Sequence, residues 1–245
     1  MSLRILLAGY GKMGQAVEVE AKLRGHKIAL VIDMENADEL SKISRETADV
    51  AIEFTAPGAA VGNFRKILQA GIPLVAGTTG WHDKSDEIKK LVEEMNGAMV
   101  YASNFSPGVN ILFLMNKKLA ELMNRFKGYD PFIEEKHHRN KKDAPSGTAL
   151  SLAGSILETL ERKKKIVHSE LQKRNPEENE ISVSFTRSGE IIGEHTVGYV
   201  SETDEIRIWH RAYNRRGFAQ GAVLAAEWIA DRRGFHNFSE IIEQL

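Results

Sequence analysis

Five short apolar runs in the first hundred residues constrain the fold of this chain more than any other feature. They are RILLAG (4–9), KIALVID (27–33), DVAIEF (49–54), PLVAG (73–77) and AMVYA (98–102). Each run is followed by a turn and then by a helical-looking segment, which predicts a parallel sheet covered on both faces. Such sheets bind ligands beyond the carboxyl ends of their strands. The loops expected to carry function therefore lie at Gly9, Asp33, Phe54, Gly77 and Ala102.

The pattern changes after residue 106. An apolar segment from Val109 to Phe126 predicts a helix, YDPFIEEKHH (129–138) predicts a strand, and a second helix is expected from about Ser146 to Leu160. Strand-like alternation from about Ile166 to Ala212 predicts a mixed or antiparallel sheet, and the tail from Gly217 is strongly helical.

These patterns predict an α/β fold with two domains. Residues 1–106 and 217–245 are expected to form a Rossmann-like parallel-sheet domain that binds a dinucleotide. Residues 107–216 are expected to form an α+β domain with a mixed sheet. The tail is thus predicted to return to the first domain.

Composition excludes several classes of protein. The 245 residues include 33 basic and 34 acidic side chains, a balance that argues against a surface tuned to nucleic acid or to an anionic membrane. There is no cysteine, so disulfides and thiolate metal sites are excluded. Glycines interrupt the first apolar run before a signal-peptide core or a membrane span could form, and we therefore expect a cytoplasmic protein.

The segment GYGKMG, from Gly9 to Gly14, fits the pattern G-x-G-x-x-G directly after the first strand. Asp33 ends the second strand 19 residues after Gly14. In this context the glycines let the backbone approach a pyrophosphate at a helix N-terminus, and the carboxylate binds a ribose hydroxyl. The alternative is a tight glycine turn with an aspartate that closes a strand, but the strand–helix–strand context favours a dinucleotide.

Asp33 also bears on which nicotinamide cofactor binds. A carboxylate at this position favours NADH and repels the 2′-phosphate of NADPH, which an arginine usually accommodates. Met34 and Glu35 follow, and the nearest cations in sequence are Lys12 and Arg45. We therefore expect a preference for NADH and leave NADPH open.

The stretch EEKHHRNKKDAPSGTAL, residues 134–150, holds the densest group of cations in the chain: Lys136, His137, His138, Arg139, Lys141 and Lys142. A charge run alone usually marks a solvated face. Here it leads into Pro-Ser-Gly-Thr, which is typical of a helix start and leaves the backbone N–H groups of Gly147 and Thr148 to hold an anion. The combination predicts a carboxylate site.

The paired histidines have two interpretations. A shared metal ion is not expected, because adjacent strand residues point to opposite faces, no cysteine is present and lysines crowd the site. A role in hydride transfer explains the paired histidines better than metal binding does. When hydride adds to an unsaturated ring, the negative charge that develops has to be met by a proton or a fixed cation. Histidine can supply that proton near neutral pH, and lysine can hold a carboxylate.

The stretch EKHHRNKKDAPSGTAL closely resembles the active-site signature E-x-H-H-x-x-K-x-D-A-P-S-G-T-A of the dihydrodipicolinate reductase family. The resemblance runs almost end to end, through GYGKMG, EFTAP, AGTTGW, ASNFSPGVN, RSGEIIGEHTV and FAQGAVLAAEWI in the family's order. It implies NAD(P)H-dependent reduction of a cyclic imine dicarboxylate to tetrahydrodipicolinate in lysine and diaminopimelate synthesis. It also implies a homotetramer assembled through the second domain.

The resemblance assigns roles to particular residues. His137 would donate the proton, Lys141 would be the second catalytic residue, and His138, Ser146, Gly147 and Thr148 would bind the substrate. Residues that would contact the dinucleotide are Gly9, Tyr10, Gly11, Lys12, Met13, Gly14, Asp33, Phe54, Gly77, Thr78, Thr79, Ala102, Ser103, Asn104 and Phe105.

Two departures from the family pattern concern the cofactor. The segment between Asp33 and Asp49 is shorter than in many members, and Met34 replaces an arginine found in some of them, which weakens the case for NADPH. Two alternative functions remain open from the sequence: a dehydrogenase of another small carboxylate, and a nucleotide-sensing homologue without catalysis.

Overall fold

The computed structural model describes residues 2–169 and 173–244. Strands, numbered in chain order, are β1 (Arg4–Ala8), β2 (Lys27–Ile32), β3 (Val50–Glu53), β4 (Leu74–Ala76), β5 (Ala98–Tyr101), β6 (Asp130–His137), β7 (Lys165–Val167), β8 (Glu180–Arg187), β9 (Gly193–Val200), β10 (Glu205–Ala212) and β11 (Gly234–Asn237). Helices are α1 (Lys12–Leu23), α2 (Pro57–Gln69), α3 (Ser85–Glu94), α4 (Pro107–Met123), α5 (Gly147–Thr159), α6 (Arg216–Ile229) and α7 (Phe238–Ile242), with short 3-10 helices at Ala37–Ser41 and His82–Lys84.

The chain divides into two compact units. The first contains the residues up to Pro107 together with those from Arg215 onward, and the second runs from Gly108 to Asn214. The first unit thus contains β1 to β5 and the tail elements α6, β11 and α7, whereas β6 to β10 and α5 belong to the second.

The first unit is built on a six-stranded sheet in the order β11-β5-β4-β3-β1-β2, and every adjacent pair is parallel. Buried residues alternate between its two faces: Ile5 and Leu7 belong to one apolar cluster, and Leu6 and Ala8 to another. Helices α1 and α6 contribute to the first cluster, and α2 and α3 to the second. The sheet is therefore buried on both faces, as the apolar runs of the sequence predict for a Rossmann-like fold.

Strand β11 was not predicted from the sequence, which indicates only a strongly helical tail from Gly217. Helix α6 ends at Ile229, and β11 then pairs in parallel with β5 at the edge of the sheet. This strand has four residues, all half-buried, and it begins at Gly234 with a φ of 105°. So short an edge strand carries no continuous apolar run, and for this reason the pattern of the sequence did not reveal it.

The second unit contains a five-stranded mixed sheet in the order β10-β9-β6-β8-β7. Strand β6 is antiparallel to β9 and parallel to β8, which confirms the mixed sheet expected from the sequence. Apolar side chains of one face, among them Ile133 and Val197, are buried with Ala149, Leu152 and Ile156 of α5. On the opposite face Trp209 of β10 remains 54% exposed. The sheet is therefore covered by helices on one side.

Among the described residues, no helix is both long and apolar enough to cross a membrane.

Candidate active site

The three glycines of the loop between β1 and α1 meet two different structural requirements. Gly9 has a φ of 94°, and a β-carbon there would lie 2.1 Å from the carbonyl oxygen of Phe54. A β-carbon on Gly14 would lie 2.2 Å from the carbonyl oxygen of Gly9, so the helix packs directly on the loop. Gly11 has open space where its β-carbon would stand. The first and third glycines therefore allow close packing, and the second leaves room for a ligand.

Further predicted residues meet at the same carboxyl edge of the first sheet. A β-carbon on Gly77 would lie 2.1 Å from the ring of Phe54, and the rings of Phe54 and Phe105 are 6.2 Å apart. The hydroxyl of Thr78 accepts a 2.7 Å hydrogen bond from the backbone N–H of Thr55. These contacts hold the loops after β3, β4 and β5 together.

Other residues of the predicted cofactor set lie on the same loops with different exposure. Thr79, Ser103 and Lys12 are exposed, Tyr10, Met13 and Asn104 are half-buried, and Ala102 is buried. Asp33 follows β2, at the other edge of the sheet from β11. Its carboxylate accepts a 2.8 Å hydrogen bond from the backbone N–H of Glu35, and Met34 is 96% exposed.

Glu53 is a buried carboxyl group at this edge that sequence reasoning did not single out. Its side chain is fully buried at the end of β3 and accepts a hydrogen bond from the hydroxyl of Thr55. Burial raises its pKa, and the hydroxyls of Thr55 and Thr78 offset only part of that rise. Glu53 therefore lies among these loops. Its carboxyl group gains a proton more readily than that of an ordinary glutamate.

Strand β6 presents the central residues of the second unit. Because side chains alternate along a strand, Glu135 and His137 lie on the helix-covered face with Ile133. Glu135 is opposite His195 of β9, and His137 is opposite Arg187 of β8. Three neighbouring strands thus deliver a carboxylate, two imidazoles and a guanidinium to one place.

Glu135 is the centre of this group. Its side chain is fully buried, and its Oε1 accepts 2.8 Å hydrogen bonds from the backbone N–H of Ser146 and from Nη2 of Arg187. Its Oε2 lies 2.7 Å from Nδ1 of His137, although the ring N–H does not point straight at the oxygen. Burial would raise the pKa of Glu135, but contacts with His137, Ser146 and Arg187 outweigh it and lower that pKa to about 2.

His195 shares the carboxylate at a greater distance. Its Nε2 lies 3.8 Å from Oε2 of Glu135 and 3.2 Å from the hydroxyl oxygen of Ser146. Burial, reinforced by the positive charge that His137 can carry, lowers the pKa of His195 to about 4. His195 is therefore a neutral imidazole at pH 7, next to an ionised Glu135.

The start of α5 and the segment before it form a small anion-binding arrangement. Ser146 is the N-cap, and its hydroxyl accepts a hydrogen bond from the backbone N–H of Ala149. Nζ of Lys141 lies 2.8 Å from the carboxylate of Asp143. Burial favours a higher pKa for Asp143, but Lys141 and the backbone N–H of Gly147 hold that pKa below its usual range. An ammonium group and a helix-start amide thus already face one carboxylate.

The predicted substrate-site residues fall into this same region. His137 is buried, His138, Lys141 and Thr148 are half-buried, and Gly147 is exposed at the first position of α5. His138 follows the last residue of β6, and its carbonyl oxygen accepts a hydrogen bond from the backbone N–H of Lys141.

Metal binding by this cluster is disfavoured by its charges. Potential ligand atoms of Glu135, His137 and His195 lie within 4.8 Å of one another. However, Arg187 donates to the same carboxylate that would have to bind the metal. A cation already neutralises the site, so the arrangement fits an ion-pair network better than a metal centre.

Sequence reasoning did not assign roles to Glu135, Arg187 or His195. The signal for Glu135 is present in the sequence, since E-x-H on a strand places both side chains on one face. Arg187 and His195 lie in RSGEIIGEHTV, but their contacts depend on the register of β8 and β9, which a single sequence does not provide.

Comparison with known families gives a consistent result over both units. Residues 3–105 match the family described as dihydrodipicolinate reductase, N-terminus, and residues 108–242 match dihydrodipicolinate reductase, C-terminus.

Individual proteins similar to this chain are named as reductases of the same kind. A 4-hydroxy-tetrahydrodipicolinate reductase of Christiangramia forsetii is 41% identical over 245 residues, covering 99% of each chain. One from Archaeoglobus fulgidus is 35% identical, covering 98% of this chain and all of the other. Among solved structures, dipicolinate-bound dihydrodipicolinate reductase from Paenisporosarcina sp. TG-14 superposes with a TM-score of 0.75 at 22% identity, covering 98% of this chain and all of that one.

Proposed function

The chain belongs to the dihydrodipicolinate reductase family, whose members are NAD(P)H-dependent oxidoreductases, and we propose that it reduces a cyclic imine dicarboxylate to tetrahydrodipicolinate. This is the 4-hydroxy-tetrahydrodipicolinate reductase step of lysine and diaminopimelate biosynthesis. The observation that carries the proposal is the arrangement around β6 and α5. A buried histidine held near a carboxylate lies close in sequence to an ammonium and a helix-start amide that face a second carboxylate.

His137 is the proton donor in this proposal. Its Nδ1 lies beside the ionised Glu135, and its ring is shielded from bulk water by burial. Reduction of the ring requires one proton for each hydride added, and a positioned imidazolium supplies it. A reduced nicotinamide, when bound, supplies the hydride.

Lys141 and the start of α5 bind the substrate carboxylates. In the structure Lys141 contacts Asp143, whose carboxylate also faces the amide of Gly147. A substrate carboxylate would take the place of Asp143 between these two donors, with the amide of Thr148 and the side chains of Ser146 and His138 at its margin. The solved reductase from Paenisporosarcina is bound to dipicolinate, a ring dicarboxylate. The proposed substrate has the same two-carboxylate character.

The first unit is the proposed dinucleotide-binding domain, and the second the substrate domain. The open space at Gly11 and the close approach at Gly9 and Gly14 fit a pyrophosphate at the start of α1. NADH is the proposed preferred cofactor, because the carboxylate of Asp33, directly after β2, would repel a 2′-phosphate bound beside it. Nη1 of Arg45 donates to the carbonyl oxygen of Asp49 at 2.7 Å, and its guanidinium is already engaged there.

Steady-state kinetics with both nicotinamides tests this proposal. We expect the purified protein to oxidise NADH when it is supplied with the condensation product of aspartate semialdehyde and pyruvate. kcat/KM should favour NADH over NADPH by about tenfold, or ~1.4 kcal/mol. Asp33→Asn, which removes the negative charge of this side chain but keeps its shape, should lower the ratio of kcat/KM with NADH to kcat/KM with NADPH. Absence of turnover above background with either cofactor would contradict the proposed function, and a preference for NADPH would contradict only the role of Asp33.

The second unit also supports a homotetrameric assembly. On the uncovered face of its sheet, Trp209 and Val200 are 54% and 41% exposed, and the guanidinium of Arg207 lies 5.3 Å from the ring centre of Phe132. Exposed apolar surface rimmed by paired charges is typical of an interface between copies. The cytoplasm, where the pathway's small-molecule intermediates are expected, is the proposed location.

Light scattering of Trp209→Glu tests this assembly. We expect the wild-type protein to have the mass of four copies of the 27.4 kDa chain, and the variant to have a smaller mass because a charge is buried at the interface. Leu23→Glu is the matched control, since Leu23 is 65% exposed in the first unit. A tetramer that tolerates Trp209→Glu would place the interface elsewhere.

A further inference from the structure

We propose that Glu135 is a positioning residue that fixes the ring of His137 for proton donation, and that Arg187 in turn orients Glu135. The inference rests on the proposed function only in that His137 is taken as the donor. It concerns how the chain itself sets the orientation and the charge of that histidine.

The two nitrogens of His137 have different surroundings. Nδ1 is 2.7 Å from Oε2 of Glu135. Among the described residues, neither ring nitrogen has a partner with full hydrogen-bond geometry, since the N–H at Nδ1 is not aligned with Oε2. Nε2 lies beside Gly193, where a β-carbon would come within 3.1 Å of it. A side chain at position 193 would therefore press on this nitrogen, whereas glycine leaves it uncovered. The arrangement assigns Nδ1 to the carboxylate and Nε2 to the substrate.

The carboxylate of Glu135 is itself held in a fixed orientation. The backbone N–H of Ser146 and Nη2 of Arg187 both donate to Oε1, each at 2.8 Å. The same Nη2 also donates to the carbonyl oxygen of Asp143 at 2.6 Å. With Oε1 occupied by two donors, Oε2 is the oxygen left to face the imidazoles. Arg187 therefore determines which oxygen meets His137.

The second imidazole does not compete strongly for this oxygen. Nε2 of His195 is 3.8 Å from Oε2, about 1 Å farther than Nδ1 of His137, and it lies near the hydroxyl of Ser146. One carboxylate thus has two imidazole neighbours at unequal distances. His137 is the one placed to share a proton with Glu135.

Charged and titratable groups surround His137, on each strand packed beside it and in the segment after β6. They are Glu135 on its own strand, Arg187 on β8, His195 on β9 and, after β6, Lys141 with Asp143. His210 of β10 lies one strand farther, opposite His195. Residues of α5 in the adjoining core, such as Ala149 and Leu152, are apolar. Glu135 is thus the buried anion that balances Arg187 and a protonated His137.

Neutralising Glu135 should consequently affect the pH dependence of catalysis. In Glu135→Gln the amide oxygen can still accept from Ser146, but the negative charge is gone while Arg187 remains. A protonated imidazole then loses its anionic neighbour and keeps the cationic one. We expect kcat to fall by about 10- to 100-fold, and the basic limb of the kcat profile to move toward acid by about one pH unit. KM for the substrate should change less than kcat.

Glu134→Gln is the matched control. Glu134 precedes Glu135 but points to the uncovered face of the sheet, where its side chain is 43% exposed and 3.8 Å from Arg207. The same substitution one position away should leave both kcat and the pH profile unchanged. Thermal melts of both variants would separate a loss of fold from a change in the site.

Glu135→Asp provides a second test if Glu135→Gln does not fold. The aspartate keeps the negative charge but is one methylene shorter, which moves the carboxylate away from His137. We therefore expect kcat to fall while the basic limb of the kcat profile stays near its wild-type pH. Wild-type kinetics in Glu135→Asp, or an unmoved limb in a folded Glu135→Gln, would overturn the proposal.

Nitrogen-15 NMR of the His137 ring gives a readout that does not depend on activity. In the wild-type protein we expect the neutral ring to carry its hydrogen on Nδ1, and in Glu135→Gln we expect a mixture of tautomers. If the wild-type protein were inactive but its tautomer still differed from that of Glu135→Gln, the proposed function would be contradicted and the role of Glu135 supported. An unchanged tautomer would overturn that role.

Discussion

Replacing His137 with glutamine is expected to lower kcat by about 10²–10⁴-fold and to change KM little. Glutamine resembles histidine in size and can still contact Glu135, but its amide cannot release a proton to the reacting ring. His137 is only 7% exposed, so bulk water has little access to act as the proton source in its place. The effect therefore measures the loss of a positioned acid.

Steady-state kinetics at saturating cofactor would measure this change, with His210→Gln as the control. His210 lies on β10, directly opposite His195 of β9, and it has no role in the proposed mechanism. Its substitution should leave kcat within about twofold of wild type. If His137→Gln retained wild-type kcat, another group would have to donate the proton, and the assignment of the site would be wrong.

The sequence predicted most of the first sheet because its strands are buried on both faces. Runs such as RILLAG and DVAIEF place apolar residues at nearly every position, and this continuity is readable without knowledge of tertiary contacts. Strand β11 lacks such a run, since its four residues are half-buried at the sheet edge. Its assignment depends on pairing with β5, which is a long-range interaction.

The candidate site was predictable where it depends on local patterns. The start of a helix at Ser146–Gly147 follows from Pro-Ser-Gly-Thr, and the glycine loop follows from G-x-G-x-x-G after a strand. By contrast, the contact between Glu135 and Arg187 joins residues 52 positions apart. It arises because β6 and β8 are parallel neighbours, and sequence spacing does not encode that register.

The pairing of Lys141 with Asp143 shows a different limit. Both residues belong to the active-site signature, and from the sequence the lysine is expected to hold a substrate carboxylate or to donate a proton. The structure adds that this cation is already neutralised by a carboxylate two residues away. In the proposed function, substrate binding would then exchange one carboxylate for another, an inference that requires the side-chain geometry.

Alanine at Gly14 and alanine at Gly11 should have opposite consequences, although both glycines belong to one loop. At Gly14 the new β-carbon would lie 2.2 Å from a backbone oxygen, so the loop or helix α1 must move. We expect a loss of about 3 kcal/mol or more in the free energy of unfolding, which lowers Tm by roughly 6–12 °C. At Gly11 nothing lies within 4 Å, and its φ of −75° suits alanine. Stability there should change by less than about 0.5 kcal/mol.

Cofactor binding should reverse this order of sensitivity, because the open space at Gly11 is where a pyrophosphate would approach the backbone. For Gly11→Ala we expect the Kd for NADH to rise by at least about tenfold, or ~1.4 kcal/mol, in a protein that melts like the wild type. Calorimetric titration with NADH and a thermal melt of each variant would separate the two effects. A stable Gly11→Ala protein with unchanged affinity for NADH would mean that the cofactor does not approach this loop, since the added methyl group has no protein atom to contact. A wild-type Tm for Gly14→Ala would mean that α1 can withdraw from the loop at little cost.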